Sequence, residues 1–333
     1  MTTVDVRPLD RTDEAEVRAF WEVQRDAVAE RPYNDVLAWQ AAKVYIPMEF
    51  PDRSRLFVAA WDGDRMVATV AGGGSSVDNL HRANADVCVL PDRRREGIGS
   101  LLLEEARRWA RADGRRVLGA EVFAPVDGTS PALAFTEHHG FRVTIEDGMK
   151  VVDIPATRDR WDGLAAEAAP HHRDYELRTV WSPVPPELVD GFVAINNMFV
   201  SEAPSGDAEV EDESWDEGRL RAIEERAAKA GRHDARTFAL SADGEVVAMT
   251  EAFVNESVPH RGFQGGTLVV PAHRGHRLGL AVKVANQQAL AARFPELEWI
   301  ITGNADVNQH MNAINDRLGF RVVERCLEVE APL

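Results

Sequence analysis

Apolar and polar positions alternate along this chain in two long passages of the same kind. LFVAAWDGDRMVATVAG, beginning at Leu56, and TFALSADGEVVAMTEAFV, beginning at Thr237, each place an Asp-Gly pair between alternating apolar residues. That pattern predicts two antiparallel strands joined by a tight turn. A short strand precedes each hairpin, VDVRPL (4–9) and YELRTV (175–180), and an amphipathic helix lies between, over 14–30 and 185–200. After each hairpin a further strand runs into a loop rich in Arg and Gly, DVCVLPDRRREGIGSLLL and GTLVVPAHRGHRLGLAVK. A helix, a strand, a short helix and the dipeptide Gly-Phe close each half.

The spacings agree as well as the order. Arg94 to Phe141 is 47 residues and Arg274 to Phe320 is 46; Gly63 to Arg94 is 31 and Gly244 to Arg274 is 30. Matches of this kind in one order predict a duplicated domain, with one half over 1–155 and the other over 175–333. Residues 156–174 between them, polar, preceded by Pro155 and without clear periodicity, read as a linker. Each half has about 150 residues, enough to enclose a core of its own.

The clearest chemical signal is the loop Pro91-Asp92-Arg93-Arg94-Arg95-Glu96-Gly97-Ile98-Gly99-Ser100. A strand enters it, and Leu102, Leu103, Ala106, Trp109 and Ala110 recur at helical spacing after it. Such a loop turns backbone N–H groups outward at a helix N-terminus, where an anion is favoured. Glycines let a ligand approach the backbone. The chemistry suits a pyrophosphate, and three arginines add positive charge. The glycine pattern is not that of a dinucleotide-binding strand-turn-helix, and no Gly-Lys-Ser/Thr follows as in a nucleotide-triphosphate loop.

Val89-x-Pro91-x-x-Arg94-x-x-Gly97-x-Gly99, with the tail Ala132-x-x-Phe135…Gly140-Phe141, resembles the GCN5-related N-acetyltransferase (GNAT) family. The second half repeats it as Val269-x-Pro271-x-x-Arg274-Gly275-His276-Arg277-Leu278-Gly279, with the tail Asn308-x-x-Met311-x-x-Ile314-Asn315…Gly319-Phe320. The resemblance implies an α/β chain of two GNAT folds in tandem, each a mixed, mostly antiparallel, splayed sheet flanked by helices. It further implies that acetyl-CoA is the co-substrate and that an amine attacks the thioester directly in a ternary complex. The cofactor-binding residues implied are Cys88, Val89, Leu90, Arg94, Arg95, Glu96, Gly97, Ile98, Gly99 and Ser100 in the first half. In the second they are Val269, Val270, Arg274, Gly275, His276, Arg277, Leu278, Gly279 and Asn308.

The family often has a Tyr as general acid just after the Phe of the tail; Thr136 and Asn315 stand there instead. Arg277 replaces the first loop glycine in the second half, and Thr129 stands where Asn308 does in the other half. Glu121, in AEVF, resembles a catalytic glutamate of some family members and is the candidate base; Glu251 is the alternative. The first half has the better loop and is the expected site of chemistry. An acyl-CoA-binding sensor or scaffold without turnover, or one active half beside a structural one, are the other readings. Asp86 reads as a strand-end cap. Cys88 reads as a packing residue.

Composition narrows the partners. A net charge of −17 argues against nucleic acid and anionic membrane. No apolar run approaches the ~18 residues of a transmembrane helix, and the N-terminus has no secretory pattern. Two cysteines, Cys88 and Cys326, form no disulfide framework, so a cytoplasmic location is expected. His273 and His276 lack further ligands nearby, so no metal is expected. The acidic stretch 201–218, with eight acids and no base, would attract a cationic amine, and the acceptor is expected to be a small-molecule or peptide amine.

Overall fold

The computed structural model describes residues 4–202, 211, 214–305 and 307–333. The chain divides into two compact units, one of residues 1–146, 206–211 and 326–333, the other of 147–205 and 212–325.

In the first unit, β1 (Asp5–Pro8) leads to α1 (Glu14–Ala27) and α2 (Trp39–Tyr45). The Asp13 side chain caps α1 by accepting from the Ala15 amide. The hairpin follows as β2 (Arg53–Asp62) and β3 (Arg65–Ser75), with Gly63 at φ +58 in the turn. Next come β4 (Arg82–Val89), α3 (Ile98–Ala112), β5 (Val117–Ala124) and α4 (Pro131–His138), and then β6 (Arg142–Asp153). The strand order is β1-β2-β3-β4-β5, continued by the stretch from Cys326 of the last strand, β12 (Arg321–Pro332). The Leu333 amide donates to the Arg116 carbonyl at 2.9 Å beside it. One sheet face packs on Ile98, Leu102, Leu103, Ala106 and Ala110 of α3. The other packs on Val17, Phe20, Trp21 and Val23 of α1 and on Ala42 of α2.

The second unit repeats the plan, with β7 (Glu176–Trp181), α7 (Pro186–Glu202) and α8 (Glu217–Lys229). Its hairpin is β8 (Arg232–Leu240) with β9 (Val246–Asn255); β10 (Arg261–Val269), α9 (Leu278–Arg293), β11 (Trp299–Ala305) and α10 (Gln309–Leu318) follow. The order is β11-β10-β9-β8-β7, with residues 147–153 of β6 antiparallel to β11.

The units therefore do not follow the sequence boundaries expected at 155 and 175. The strand after the first Gly-Phe supplies residues 147–153 to the second unit, and the chain's last residues belong to the first. The stretch expected as a linker is folded: α5 (Ile154–Thr157) and α6 (Trp161–Ala168) bury Ile154, Trp161 and Ala168 in the second unit's core. Trp161, Leu164, Ala165 and Ala168 pack there at helical spacing, a period only two turns long in an otherwise polar segment.

That core also holds polar groups. Lys283 of α9 is 1% exposed and donates to Asn315 Oδ1 at 2.7 Å; Asn315 in turn donates to Asn304 Oδ1 at 2.5 Å. Lys150 is buried as well and donates to Asn312. Burial, and then the charge of Lys150, lower the Lys283 pKa from the ordinary 10.5 to about 7. The unfolded chain therefore holds a proton on Lys283 that the folded chain lacks between pH 7 and 10.5, so folding gains from rising pH in that window. Lys283→Met removes the linkage. In urea titrations the stability of the wild type should gain on the variant by roughly 1.4 kcal/mol per pH unit above pH 7. Parallel curves for the two proteins would contradict a buried neutral amine.

Candidate active site

The site is built on a parallel ladder that stops early. β4 and β5 pair only as Arg82↔Val117, Ala83↔Leu118 and Asn84↔Gly119. β4 goes on pairing with β3 up to Val89 on its other side. Beyond Asn84 one backbone edge of β4 thus has no strand beside it, and a cleft opens there. The closed end is fixed by the buried Arg115, which donates to the carbonyls of Ser75, Leu80 and Arg82 at 2.7–3.4 Å. Asp113 accepts from its Nε at 2.8 Å.

Strand alternation sorts the side chains at the cleft. Ala83, Ala85, Leu118 and Val122 turn to the α3 core, whereas Cys88 joins the α1 core. Asp86 and Cys88 share the latter face of β4, and Glu121 and Phe123 the corresponding face of β5. The loop after α1 lies over Phe123, with the Arg31 guanidinium 3.5 Å from its ring and 3.7 Å from Asp35. Asp86 is not the strand-end cap expected; it lies within β4. Its side chain is exposed, with protein atoms crowded around the carboxyl group. Incomplete hydration there, and then the Asp35 carboxylate, raise its pKa. The Cys88 Sγ lies 3.7 Å from Asp86; burial and that carboxylate raise the thiol well above its ordinary value, so it is inert as a nucleophile. Glu121 is exposed.

The loops after β4 and β10 have one backbone conformation. The Arg94 Nε donates to the Val89 carbonyl at 3.3 Å, and the Arg274 Nε to the Val269 carbonyl at 3.2 Å. The Leu90 amide donates to Val67 and the Val270 amide to Val247. Each loop has two residues in the left-handed region: Arg95 (φ +69) and Gly97 (φ +86) in one, Gly275 (φ +87) and Arg277 (φ +56) in the other. One position is glycine and one arginine in each loop, in exchanged order. The advantage expected of the first loop from its glycine pair is therefore smaller than the residues suggest. Gly99 and Gly279 serve packing: a Cβ on Gly99 would meet the Phe135 ring at 3.4 Å, and one on Gly279 would meet Ile314 at 3.0 Å.

The arginines differ in availability. Arg93 is buried and paired with Asp62 at 2.8 Å and Glu96 at 3.1 Å. Arg94 is held by Val89 and by the Ala27 carbonyl. Arg95 is exposed and has no ion-pair partner among the described residues. Ile98 is buried at the start of α3, and the Ser100 hydroxyl lies 2.9 Å from His139 Nε2. Gly97 opens α3, and a Cβ there would meet nothing within 4 Å, which leaves room for an anion.

Several expected residues have structural partners. Glu251 pairs with Arg236 at 3.2 Å. Asn308 caps α10 by accepting from the Met311 amide, as Ser130, not Thr129, caps α4 by accepting from Leu133. The Thr136 hydroxyl donates to the Leu133 carbonyl. Leu278 is buried in the start of α9. Most of the acidic stretch 201–218 lies outside the described residues; Glu211 accepts from the Asn79 amide at 2.8 Å. Among the described residues there is no cluster of three metal-ligating side chains, and no helix is long and apolar enough to cross a membrane.

Residues 52–143, which contain the first hairpin, loop and tail, match the acetyltransferase (GNAT) domain family. A tandem GNAT protein from the clavulanic acid biosynthesis pathway superposes with a TM-score of 0.84 at 25% identity, over 99% of this chain and 98% of that one. A GCN5-related N-acetyltransferase from Sphaerobacter thermophilus (14% identity, TM-score 0.67, 99% and 95% covered) and a putative acetyltransferase from Pyrococcus horikoshii (12%, 0.60, 100% and 90%) share the fold. No curated protein matches in sequence. The two-unit fold and the loop-bearing domain define the acetyltransferase class. Residues 52–143 thus carry a GNAT domain, and the chain as a whole has the tandem GNAT fold.

Because Gly97 adopts φ +86, Gly97→Ala should destabilise the protein by about 1 kcal/mol and weaken acetyl-CoA binding. Gly99→Ala, which meets an aromatic edge instead, should spare binding. Urea titration and calorimetry of both variants check this pair of outcomes.

Proposed function

We propose that the chain is an acetyl-CoA-dependent N-acetyltransferase whose first unit acts on a primary amine of a small molecule or peptide. One observation carries this reading: the unpaired edge of β4 leads from Asp86, past Cys88 and Val89, to the exposed loop at Arg95–Gly97. The residues present suit acetyl-CoA. Loop amides and Arg95 would hold the diphosphate, and the free edge of β4 at Val87 and Val89 would bond the pantetheine and acetyl groups. The thioester supplies the acetyl group to the amine.

The chain's own part is to hold the amine beside the thioester and to remove its proton. Asp86 is the favoured acceptor of that proton, because its raised pKa makes it a stronger base than an ordinary carboxylate. Glu121, on the matching face of β5, is the other candidate. Asp35 and Asp86 give the cleft negative charge, which favours a cationic acceptor. No phenol stands at the tail in either unit, and this supports the second reading, an acyl-CoA-binding sensor without turnover.

Thioester consumption with a panel of amines separates the two readings. Under the first, Asp86→Asn should lower kcat/KM by about 10²-fold with acetyl-CoA affinity unchanged. The wild-type rate should rise with pH through an apparent pKa above the usual carboxylate range, since the base works deprotonated. Glu121→Gln, if it alone shows that loss, transfers the role to Glu121.

A further inference from the structure

The two loops share a backbone conformation but not their surroundings. The guanidinium of Arg277, the first residue before α9, is turned onto the Glu167 carboxylate, and Arg317 in the last turn of α10 meets the same carboxylate from another side. Hydrogen bonding from Arg277, and the charge of Arg317, hold Glu167 below the usual carboxylate range. Two further contacts come from the segment after α6. His276 Nδ1 lies 3.2 Å from the His171 carbonyl, and the Tyr175 hydroxyl lies 3.0 Å from His273 Nδ1. The Tyr175 ring also packs on the His276 ring, with centroids 5.3 Å apart. Three of the loop's seven residues are thus engaged by residues 167–175. In the first loop the equivalent position is Gly97, which has no side chain to engage.

The inner end of the second unit is filled too. Gly266 sits under Phe199 of α7 so closely that a Cβ would lie 2.7 Å from the ring, and Gly265 sits under Glu251. Asn315, at the tail position, is 0% exposed and tied to Lys283 and Asn304.

We infer that loop 271–277 is a diphosphate seat closed by the chain's own Glu167, an internal carboxylate standing in for the ligand's anion. The first unit alone then takes acetyl-CoA; this part rests on the function proposed above. The seat keeps its two left-handed residues and its place at the start of a 16-residue helix, so removal of the carboxylate should uncover it. Arg277 and Arg317, released from Glu167, then become phosphate ligands.

Glu167 is half-exposed, so Glu167→Ala and Glu167→Gln should both fold. Calorimetric titration of the full chain with acetyl-CoA should give one equivalent for the wild type. Either variant should give two, the second weaker because Phe199 and Asn315 still fill the inner end. Adding Gly97→Val to Glu167→Ala should leave only the weaker equivalent. Two equivalents bound by the wild type, or a single equivalent retained by both Glu167 variants, overturns the inference. No binding by the wild type together with binding by Glu167→Ala would instead sink the proposed role of the first loop and leave the closed seat standing.

Discussion

The site depends on a parallel pairing that ends after three residue pairs. A strand with an unpaired edge inside a domain leaves N–H and C=O groups without partners, which is costly away from water. Such an edge is tolerated where water or a ligand can take the same bonds. The buried Arg115 makes the break stable. It ties the end of β3, the β3–β4 turn and β4 to the start of β5, so the strands are pinned at one end and free to diverge at the other. Asp86, Glu121 and the pyrophosphate-type loop are placed along that divergence.

Duplication preserved backbone more strictly than side chains. The Arg–carbonyl hook that folds each loop back on its strand is the same in both units, to within 0.1 Å in donor–acceptor distance. The left-handed positions are also shared, although arginine and glycine have traded places between them. Left-handed backbone costs a side-chain-bearing residue roughly 1–2 kcal/mol, and each loop bears that cost once. What separates the units is what covers the loop. A free seat remains beside Gly97, whereas Glu167, His171 and Tyr175 lie against its counterpart.

The second unit's polar interior is consistent with that division. Lys283, Asn315, Asn304, Lys150 and Asn312 satisfy one another where an open active site would need room and water. Such buried networks hold together only when each member is partnered, and neutralising Lys283 is how the core avoids a desolvated charge. The buried Arg236 is matched in the same way by Glu224 and Glu251, which ties Glu251 to structure.

The duplication, both hairpins, the loop-helix units and the tandem GNAT architecture were legible in the sequence, because period-2 and period-3.6 patterns and Asp-Gly turns act over a few residues. Gly97 was legible for the same reason, since a turn into a helix start needs a left-handed residue. Other features arise only when distant segments meet. The exchange of 147–153 and 326–333 between the units leaves no local mark, because a strand's alternation does not say which sheet receives it. The folding of 156–174 rests on the short apolar face of Trp161, Leu164, Ala165 and Ala168, which finds a core made elsewhere. Asp86 reads as an ordinary strand residue until the fold crowds water away from its carboxyl group and brings Asp35, about fifty positions earlier, beside it, both raising its pKa. Arg277 in the loop reads as a phosphate ligand until Glu167 reaches it from 110 residues away. Local pattern decides which elements form and where backbone must turn; the partners of a charge are decided only when the chain has folded, because electrostatics acts through space and not along the sequence.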